Sequence, residues 1–153
     1  MYYATRGKGA WIDRAGKRLQ RAKVSSELDL TKMRLAASRS HRSPRMNRVV
    51  EVLEIREEVN RGSVGVKIGL LIERLCDLYV HLSPRTKQWD TCAPEVILRE
   101  AGGEMTDLFG SELMYNSADV QNRNGVVASN GAAHAQIIAR LAPLLTEFGR
   151  LPV

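Results

Sequence analysis

Strand-type and helix-type segments alternate along this chain, and that alternation restricts its fold more than any other feature. Short apolar runs predict strands at residues 33–37, 77–82, 104–109 and 125–129. Longer segments with helical spacing predict helices that open at Ser43-Pro44, cover residues 64–75 and 91–101, and follow Asn130-Gly131, with Pro143 as a kink or break in the last one. The pattern favours an α/β layered domain in which helices pack on a mixed sheet.

The chain is long enough for one domain with a real core, because 44% of its 153 residues are hydrophobic. Two further strands, residues 1–4 and 10–13, flank an N-terminal turn. No apolar run approaches the ~20 residues of a membrane span, and the N-terminus lacks the apolar segment of a signal peptide. We therefore expect no membrane partner and a cytoplasmic location.

The basic charge is concentrated in the first third of the sequence. Residues 1–48 hold 13 Lys and Arg but only 3 Asp and Glu, in a chain of net charge +6. Nucleic-acid binding is one interpretation, but few aromatic residues accompany the cations and no binding motif is present. A solvated basic face is favoured over it. A basic surface that attracts a small, multiply charged anion is the third interpretation.

Asp90 is the first candidate site residue, because residues 96–101 are good helix-forming material that ends at Gly102-Gly103. A carboxylate at the start of that helix has two possible roles. It can accept free backbone N–H groups as a cap, or it can face outward and hold a divalent cation.

Two other polar segments form candidate binding sites. Residues 38–41 (SRSH) directly follow a buried strand, at the strand end where open α/β sheets bind ligands, although turn-making serines give the same pattern. Residues 62–67 (GSVGVK) open a helix and bring free N–H groups, the helix dipole and the Lys67 cation together, which suits a phosphate or a ribose hydroxyl. A plain capped helix start is the alternative there.

The remaining chemistry-bearing residues are expected to be structural. Cys76 and Cys92 lack metal-type spacing and indicate reduced, packed thiols. His81 and His134 are placed at a strand end and near a helix start. The other candidate carboxylates are expected to be solvated, namely Glu73, Asp77, Glu95, Glu100 and Asp107.

Several segments together resemble a known family. Residues 89–95 (WDTCAPE), followed by an apolar turn and Gly-Gly, resemble the C-terminal signature of the inositol monophosphatase superfamily, and most closely its 3'(2'),5'-bisphosphate nucleotidase branch. The segments that follow the order of that family are residues 1–11 (MYYATRGKGAW), 38–41, 62–68 (GSVGVKI), 77–79 (DLY) and 124–131 (NGVVASNG). The sequence departs from the family after Glu73, where relatives usually place a Gly and this chain has Arg74.

The resemblance implies a role for each site residue. Asp90 would be a Mg²⁺ ligand, and Arg39 would clamp a phosphate by pairing two of its oxygens. The residues expected to contact the nucleotide are Ser38, His41, Ser63 and Lys67. His41 would bind substrate and would not act as a base, because the family uses a metal-activated water.

The family builds its metal cluster mainly from an upstream Glu and an Asp-Pro-x-Asp-Gly-Thr/Ser loop, and this sequence contains no Asp-Pro and no Asp-Gly. The resemblance therefore implies that residues 1–153 are a C-terminal domain whose metal-binding N-terminal half is absent. The expected partners are that half, or a second copy of the chain, and a small phosphorylated nucleotide.

The function implied by the resemblance is magnesium-dependent removal of the 3'-phosphate from adenosine 3',5'-bisphosphate, with the isolated chain expected to be inactive. An inositol monophosphate phosphatase is the alternative within the family. A non-catalytic fragment that binds anions or dimerises is the alternative of another class, because loss of half a layered fold should expose an apolar patch.

Overall fold

The computed structural model describes residues 1–38 and 43–153, where strands and helices alternate as predicted. The strands are β1 Tyr2–Thr5, β2 Gly9–Ile12, β3 Gln20–Arg21, β4 Arg34–Ser38, β5 Glu57–Arg61, β6 Leu78–His81, β7 Glu104–Thr106 and β8 Val126–Ser129. The helices are α1 Pro44–Val52, α2 Val64–Ile72, α3 Gln88–Glu100 and α4 His134–Glu147, with a short 3-10 turn at Leu30–Lys32.

Two sheets organise the molecule. The first is the antiparallel sheet β1-β2-β3, and the second is a five-stranded mixed sheet in the order β5-β4-β6-β8-β7. In the second sheet β4 runs parallel to both β5 and β6, whereas β8 runs antiparallel to β6 and β7. The mixed sheet confirms the predicted α/β class.

The side chains of β6 alternate between two hydrophobic clusters, because successive residues of a strand face opposite sides of a sheet. Tyr79 packs with residues of α2, α3 and the N-terminal sheet. Leu78 and Val80 pack on the other side with residues of α1 and α4. Helices α2 and α3 therefore lie between the two sheets, and the layers form the sandwich that the sequence predicts.

Strand β5 was not predicted, and some boundaries of the predicted strands and helices differ from the structure. The sequence of β5, EEVNR, carries no apolar alternation, and it forms a strand because it is an edge strand that needs only one partner, β4. Helix α2 ends at Ile72 instead of residue 75, and β7 ends at Thr106 instead of residue 109. Helix α4 continues through Pro143, so the prediction of a break at this residue is wrong.

The turn after Glu73, where the sequence departs from its family, has a simple form. Arg74 takes the left-handed conformation, with φ +59°. That region favours glycine, and a side chain there costs ~1 kcal/mol or more. The carbonyl of Arg74 accepts a hydrogen bond from the Arg34 guanidinium at 2.8 Å, which helps to hold the turn.

No helix within the described ranges is both long and apolar enough to cross a membrane. The two cysteines differ in environment. Cys76 is fully buried, as expected for a packed thiol, and burial raises its pKa to about 11. Cys92 is exposed, so the expectation of a packed thiol is wrong for this residue, which lies on the outer side of α3.

Candidate functional site

The parallel strands end together at one edge of the large sheet. Ser38 is level with Arg61, and the pairing of Leu35 with Leu78 puts His81 at the same level three residues further along. Helix α2 starts directly after β5, and α3 starts after the loop that follows β6. The carboxyl ends of parallel strands and the N-termini of the following helices thus meet, as in other ligand-binding α/β sheets. We call this edge the candidate site.

Ser63 caps the N-terminus of α2. Its Oγ accepts a hydrogen bond from the Val66 N–H at 3.4 Å, so the plain capping role is present. The residue is exposed, and so are Gly62 and Gly65 beside it. An exposed helix N-terminus with small residues around it presents unpaired N–H groups and the positive end of the helix dipole to an anion.

Lys67 is held inside the first turns of α2. It is only 3% exposed, its Nζ donates to the Gly62 carbonyl at 2.5 Å, and Nζ lies 5.0 Å from the centroid of the Tyr79 ring. Burial lowers the pKa of this lysine. The ammonium therefore stands behind the Gly62 turn, in a fixed position instead of on a mobile side chain.

Asp90 lies in the first turn of α3, which begins three residues before the start that the sequence predicts. The helix begins at Gln88, and Asp90 Oδ2 accepts the Lys87 N–H at 2.9 Å. The capping role considered from sequence is therefore present. Among residues 1–38 and 43–153, no hydrogen bond is made to Oδ1 of this half-buried carboxylate.

Tyr79 links the two helix starts, and the sequence analysis did not single it out. Burial, and after it the negative charge of Asp90, raises the pKa of its hydroxyl. Because Lys67 stacks on the same ring, the cation and the carboxylate lie around one side chain. The strand alternation that turns Tyr79 toward α2 and α3 was the signal that would have found it.

The segment 38–41 is only partly described. Ser38 is half-buried and is the last residue of β4. It lies two residues after Ala36, which packs in the hydrophobic cluster with α2 and α3, so Ser38 is on the same side of the sheet as those helices. Arg39 and His41 lie outside the described residues. His81 ends β6 as expected, with its ring centroid 6.2 Å from that of Tyr79.

The other carboxylates are engaged elsewhere, and the expectation that they are solvated is wrong for several of them. Asp77 is buried at the opposite end of β6, where burial alone would raise its pKa, but hydrogen bonds from Arg34 and Ser25 lower it. Glu95 is buried and pairs with Arg99 at 2.7 Å. Asp107 is buried and accepts the N–H groups of a turn.

The structural role expected for His134 is present in the geometry. This buried residue starts α4, and its two ring nitrogens lie 2.9 Å from Thr106 Oγ1 and 2.8 Å from Ser129 Oγ. Burial lowers its pKa. Both hydroxyls hold the ring between α4 and the sheet, so it takes no part in the candidate site.

A metal ion fits this edge only in part. Asp90 offers the hard carboxylate oxygens that Mg²⁺ prefers. Within the described part of the chain, however, no group of three or more His, Cys, Asp or Glu side chains lies close enough to hold a metal ion. The described residues therefore supply one ligand and not a complete metal centre.

An apolar groove adjoins the candidate site. It has a volume of about 340 Å³ and runs between α2 and α3, beside the ring of Tyr2. Its lining residues include Ser63 at one end, and the apolar side chains Val66, Pro94 and Ile97. The groove thus extends the site from the polar helix starts along the two helices.

Residues 1–145 match the inositol monophosphatase family, and the match covers the candidate site together with all the strands. The chain belongs to this family. As a family member it shares its fold with Thermotoga maritima IMPase, with a TM-score of 0.74 and 24% identity over 95% of this chain and 52% of that one. CysQ from Bacteroides thetaiotaomicron gives a TM-score of 0.67 and 26% identity, over 84% of this chain and 52% of that one.

Curated members of the family align with most of this chain but with a smaller part of their own length. Mouse 3'(2'),5'-bisphosphate nucleotidase 1 is 39% identical over 97 residues, which is 62% of this chain and 31% of the mouse protein. Inositol monophosphatase 3 of Xenopus tropicalis is 32% identical over 102 residues, 63% of this chain and 28% of that protein. The chain therefore spans about a third of the length of these relatives.

Proposed function

We propose that this chain forms the nucleotide-binding side of a magnesium-dependent phosphatase that removes the 3'-phosphate from adenosine 3',5'-bisphosphate. The observation that carries the proposal is the meeting of two helix N-termini at the ends of the parallel strands, with Lys67 and Asp90 around the Tyr79 ring. A cation and helix dipoles on one side, and a carboxylate on the other, suit a phosphate held next to a divalent metal ion.

Each residue has a distinct role in the proposal. Asp90 supplies one oxygen ligand to Mg²⁺, and the bound ion would neutralise phosphate oxygens and acidify a water molecule. The N–H groups at the start of α2 bind an anionic oxygen, while Lys67 adds positive charge from behind the Gly62 turn. Ser38, Ser63 and His41 contact the nucleotide, and Arg39 pairs with a phosphate.

The proposal assigns the remaining metal ligands to a partner, because the described residues supply one carboxylate and not a cluster. That partner is the N-terminal half found in the family, or a second copy of this chain. The apolar groove between α2 and α3 is consistent with a molecule that extends beyond the polar helix starts. The isolated chain is accordingly expected to bind nucleotide without turning it over.

An inositol monophosphate phosphatase is the second candidate. Its support is the sequence identity between this chain and inositol monophosphatase 3 of Xenopus tropicalis. That alignment covers nearly the same number of residues as the alignment with the mouse nucleotidase. The two candidates share the metal and the phosphate site, and they differ in the organic part of the substrate.

Phosphate release separates these functions. The chain is assayed with Mg²⁺, alone and together with the N-terminal half of a bisphosphate nucleotidase, on adenosine 3',5'-bisphosphate and on inositol monophosphate. We expect release only with both halves, at least about tenfold faster from the nucleotide, a difference of ~1.4 kcal/mol in activation free energy. Faster release from inositol monophosphate would establish the second candidate. Release from neither substrate would make the chain a non-catalytic anion-binding protein.

A further inference from the structure

A second concave surface lies at the far end of α2 from the candidate site. This cleft has a volume of about 370 Å³ and lies between the N-terminal sheet and the last turn of α2. The residues that line it are Ile12, Arg14, Gln20, Arg21, Lys23, Ile72, Glu73 and Arg74. We call it the basic cleft. Ser63 caps the opposite end of the nine-residue helix α2, so the length of that helix, ~13 Å, separates the two places.

Four cations and one carboxylate line the basic cleft, and the carboxylate is already paired. Glu73 accepts the Tyr2 hydroxyl at 2.6 Å and forms an ion pair with Arg14 at 2.7 Å. Arg14 therefore contributes little free charge, and Glu73 does little to oppose an anion. The charge that remains in the cleft belongs to the other three cations.

Arg21 and Lys23 have no ion pair with any residue in the described ranges. The Arg21 guanidinium lies 5.9 Å from the centroid of the Trp11 ring, which orients its planar face without neutralising it. Glu100 lies close to Arg21, but its two oxygens accept the Gly7 and Gly9 N–H groups at 2.6 and 2.8 Å. Two exposed cations that have no ion-pair partner among the described residues thus line one concavity.

Arg74 joins them through an unusual backbone conformation. Its φ of +59° belongs to the region where glycine is the favoured residue, and the residue nevertheless carries a long cationic side chain. Its Nε donates to the Lys23 carbonyl at 3.2 Å, which directs the guanidinium across the cleft. The strained turn therefore fixes a third cation at the same place.

We propose that the basic cleft is a binding site for a small oligophosphate, with inorganic pyrophosphate as its simplest form. Arginine forks pair with phosphate oxygens bidentately, and an excess of about three positive charges suits an anion with several negative ones. The volume is at the low end for ligand pockets, which limits the size of the ligand. None of its described lining residues is aromatic, so the cleft offers no ring on which a nucleobase would stack.

The proposal is tested by nuclear magnetic resonance on the 153-residue chain. Amide shifts are followed during titration with pyrophosphate, at about 0.15 M salt and without added divalent metal. We expect saturable shifts at Arg21, Lys23 and Arg74. The double variant R21Q/K23Q should raise the Kd at least about tenfold. The control R56Q/R140Q removes the same two charges from exposed positions outside the cleft and should change the Kd less than about twofold.

Three results would overturn the proposal. Shifts confined to residues 63–67 would assign pyrophosphate to the candidate site. An equal loss of affinity in both double variants would mean attraction by net charge only. Displacement of pyrophosphate by a short single-stranded RNA from the same amides would indicate a nucleic-acid surface instead. The substituted side chains are exposed, so the fold should be retained in the variants. The spectra of the variants show directly whether it is.

Discussion

Lys67 carries a positive charge in a buried position, and burying a charge is costly unless it is paired and hydrogen-bonded. Its ammonium group has one carbonyl and one aromatic ring as partners, and burial lowers its pKa. An uncharged side chain of similar volume would pack on Tyr79 without desolvating an ammonium group. The proposed function accordingly assigns Lys67 to binding more than to stability.

The variant K67M tests that assignment. We expect its free energy of unfolding to stay within about 1 kcal/mol of the wild-type value, because the desolvation cost disappears together with the cation contact. We expect its affinity for adenosine 3',5'-bisphosphate to fall at least about tenfold. Denaturant unfolding and calorimetric titration measure the two quantities. A large loss of stability with unchanged affinity would make Lys67 a structural residue.

His134 predicts a pH dependence of stability. Burial lowers its pKa in the folded state below the ordinary value of 6.5, so in that pH range the unfolded state binds more protons. The stabilising contribution is therefore complete above pH 6.5 and is lost as the pH falls below it toward the folded-state pKa. Wild type should lose stability over this range.

The variant H134Q isolates this contribution, because every other ionisable residue is the same in both proteins. The variant should be less stable at neutral pH by about 1 to 3 kcal/mol, since buried hydroxyls lose their partner. The difference between wild type and variant should shrink below pH 6.5. A difference that stays constant with pH, measured by urea unfolding, would contradict the buried neutral imidazole.

At the scale of elements, helix α2 connects the candidate site and the basic cleft, since its N-terminus forms part of the first and its C-terminal turn lines the second. Two glycines within it differ in their surroundings. A Cβ added at Gly65 would have no heavy atom within 4 Å, whereas a Cβ at Gly69 would lie 2.8 Å from the Tyr2 ring.

The two glycines give a matched pair of variants. G65A should stabilise the protein by up to about 1 kcal/mol, the difference in helix propensity between Gly and Ala. G69A should lose that gain, because the Tyr2 ring must move and its hydroxyl is bonded to Glu73. Thermal unfolding of both variants measures the difference. Equal stabilisation by both would mean that Tyr2 does not pack on α2 in solution.

Strands and helices with apolar residues were predictable from sequence. A strand that forms only because its backbone pairs with a neighbouring strand was not. Strands β4, β6 and β8 are buried on both faces and read as apolar runs. Strand β5 is polar because it lies at the edge of the sheet, so its residues carry no apolar signal. The predicted start of α3, residue 91, lies three residues after the observed start at Gln88, because the capping carboxylate of Asp90 is inside the helix and not before it.

At the scale of the whole molecule, the two sheets enclose α2 and α3 and bring their N-termini to the ends of the parallel strands. The positions of Ser63 and Asp90 at helix starts were predictable from sequence. The proximity of these two residues to Tyr79 and Lys67 was not predictable, because it depends on the register of the strands. The ion pair of Arg34 with the buried Asp77 lies at the other end of β4 and β6, away from this edge.

The central claim is that Asp90 holds Mg²⁺ next to a bound nucleotide, and thermodynamic linkage tests it most directly. Mg²⁺ usually keeps several waters and can be held by one carboxylate together with substrate phosphates, so the isolated chain is sufficient for a binding test although its metal centre is incomplete. Adenosine 3',5'-bisphosphate is titrated calorimetrically into the chain with and without Mg²⁺, for the wild type and for D90N. We predict that Mg²⁺ tightens nucleotide binding at least about tenfold in the wild type, a coupling of ~1.4 kcal/mol, and leaves the affinity of D90N unchanged. An equal effect of Mg²⁺ on both proteins would contradict the claim.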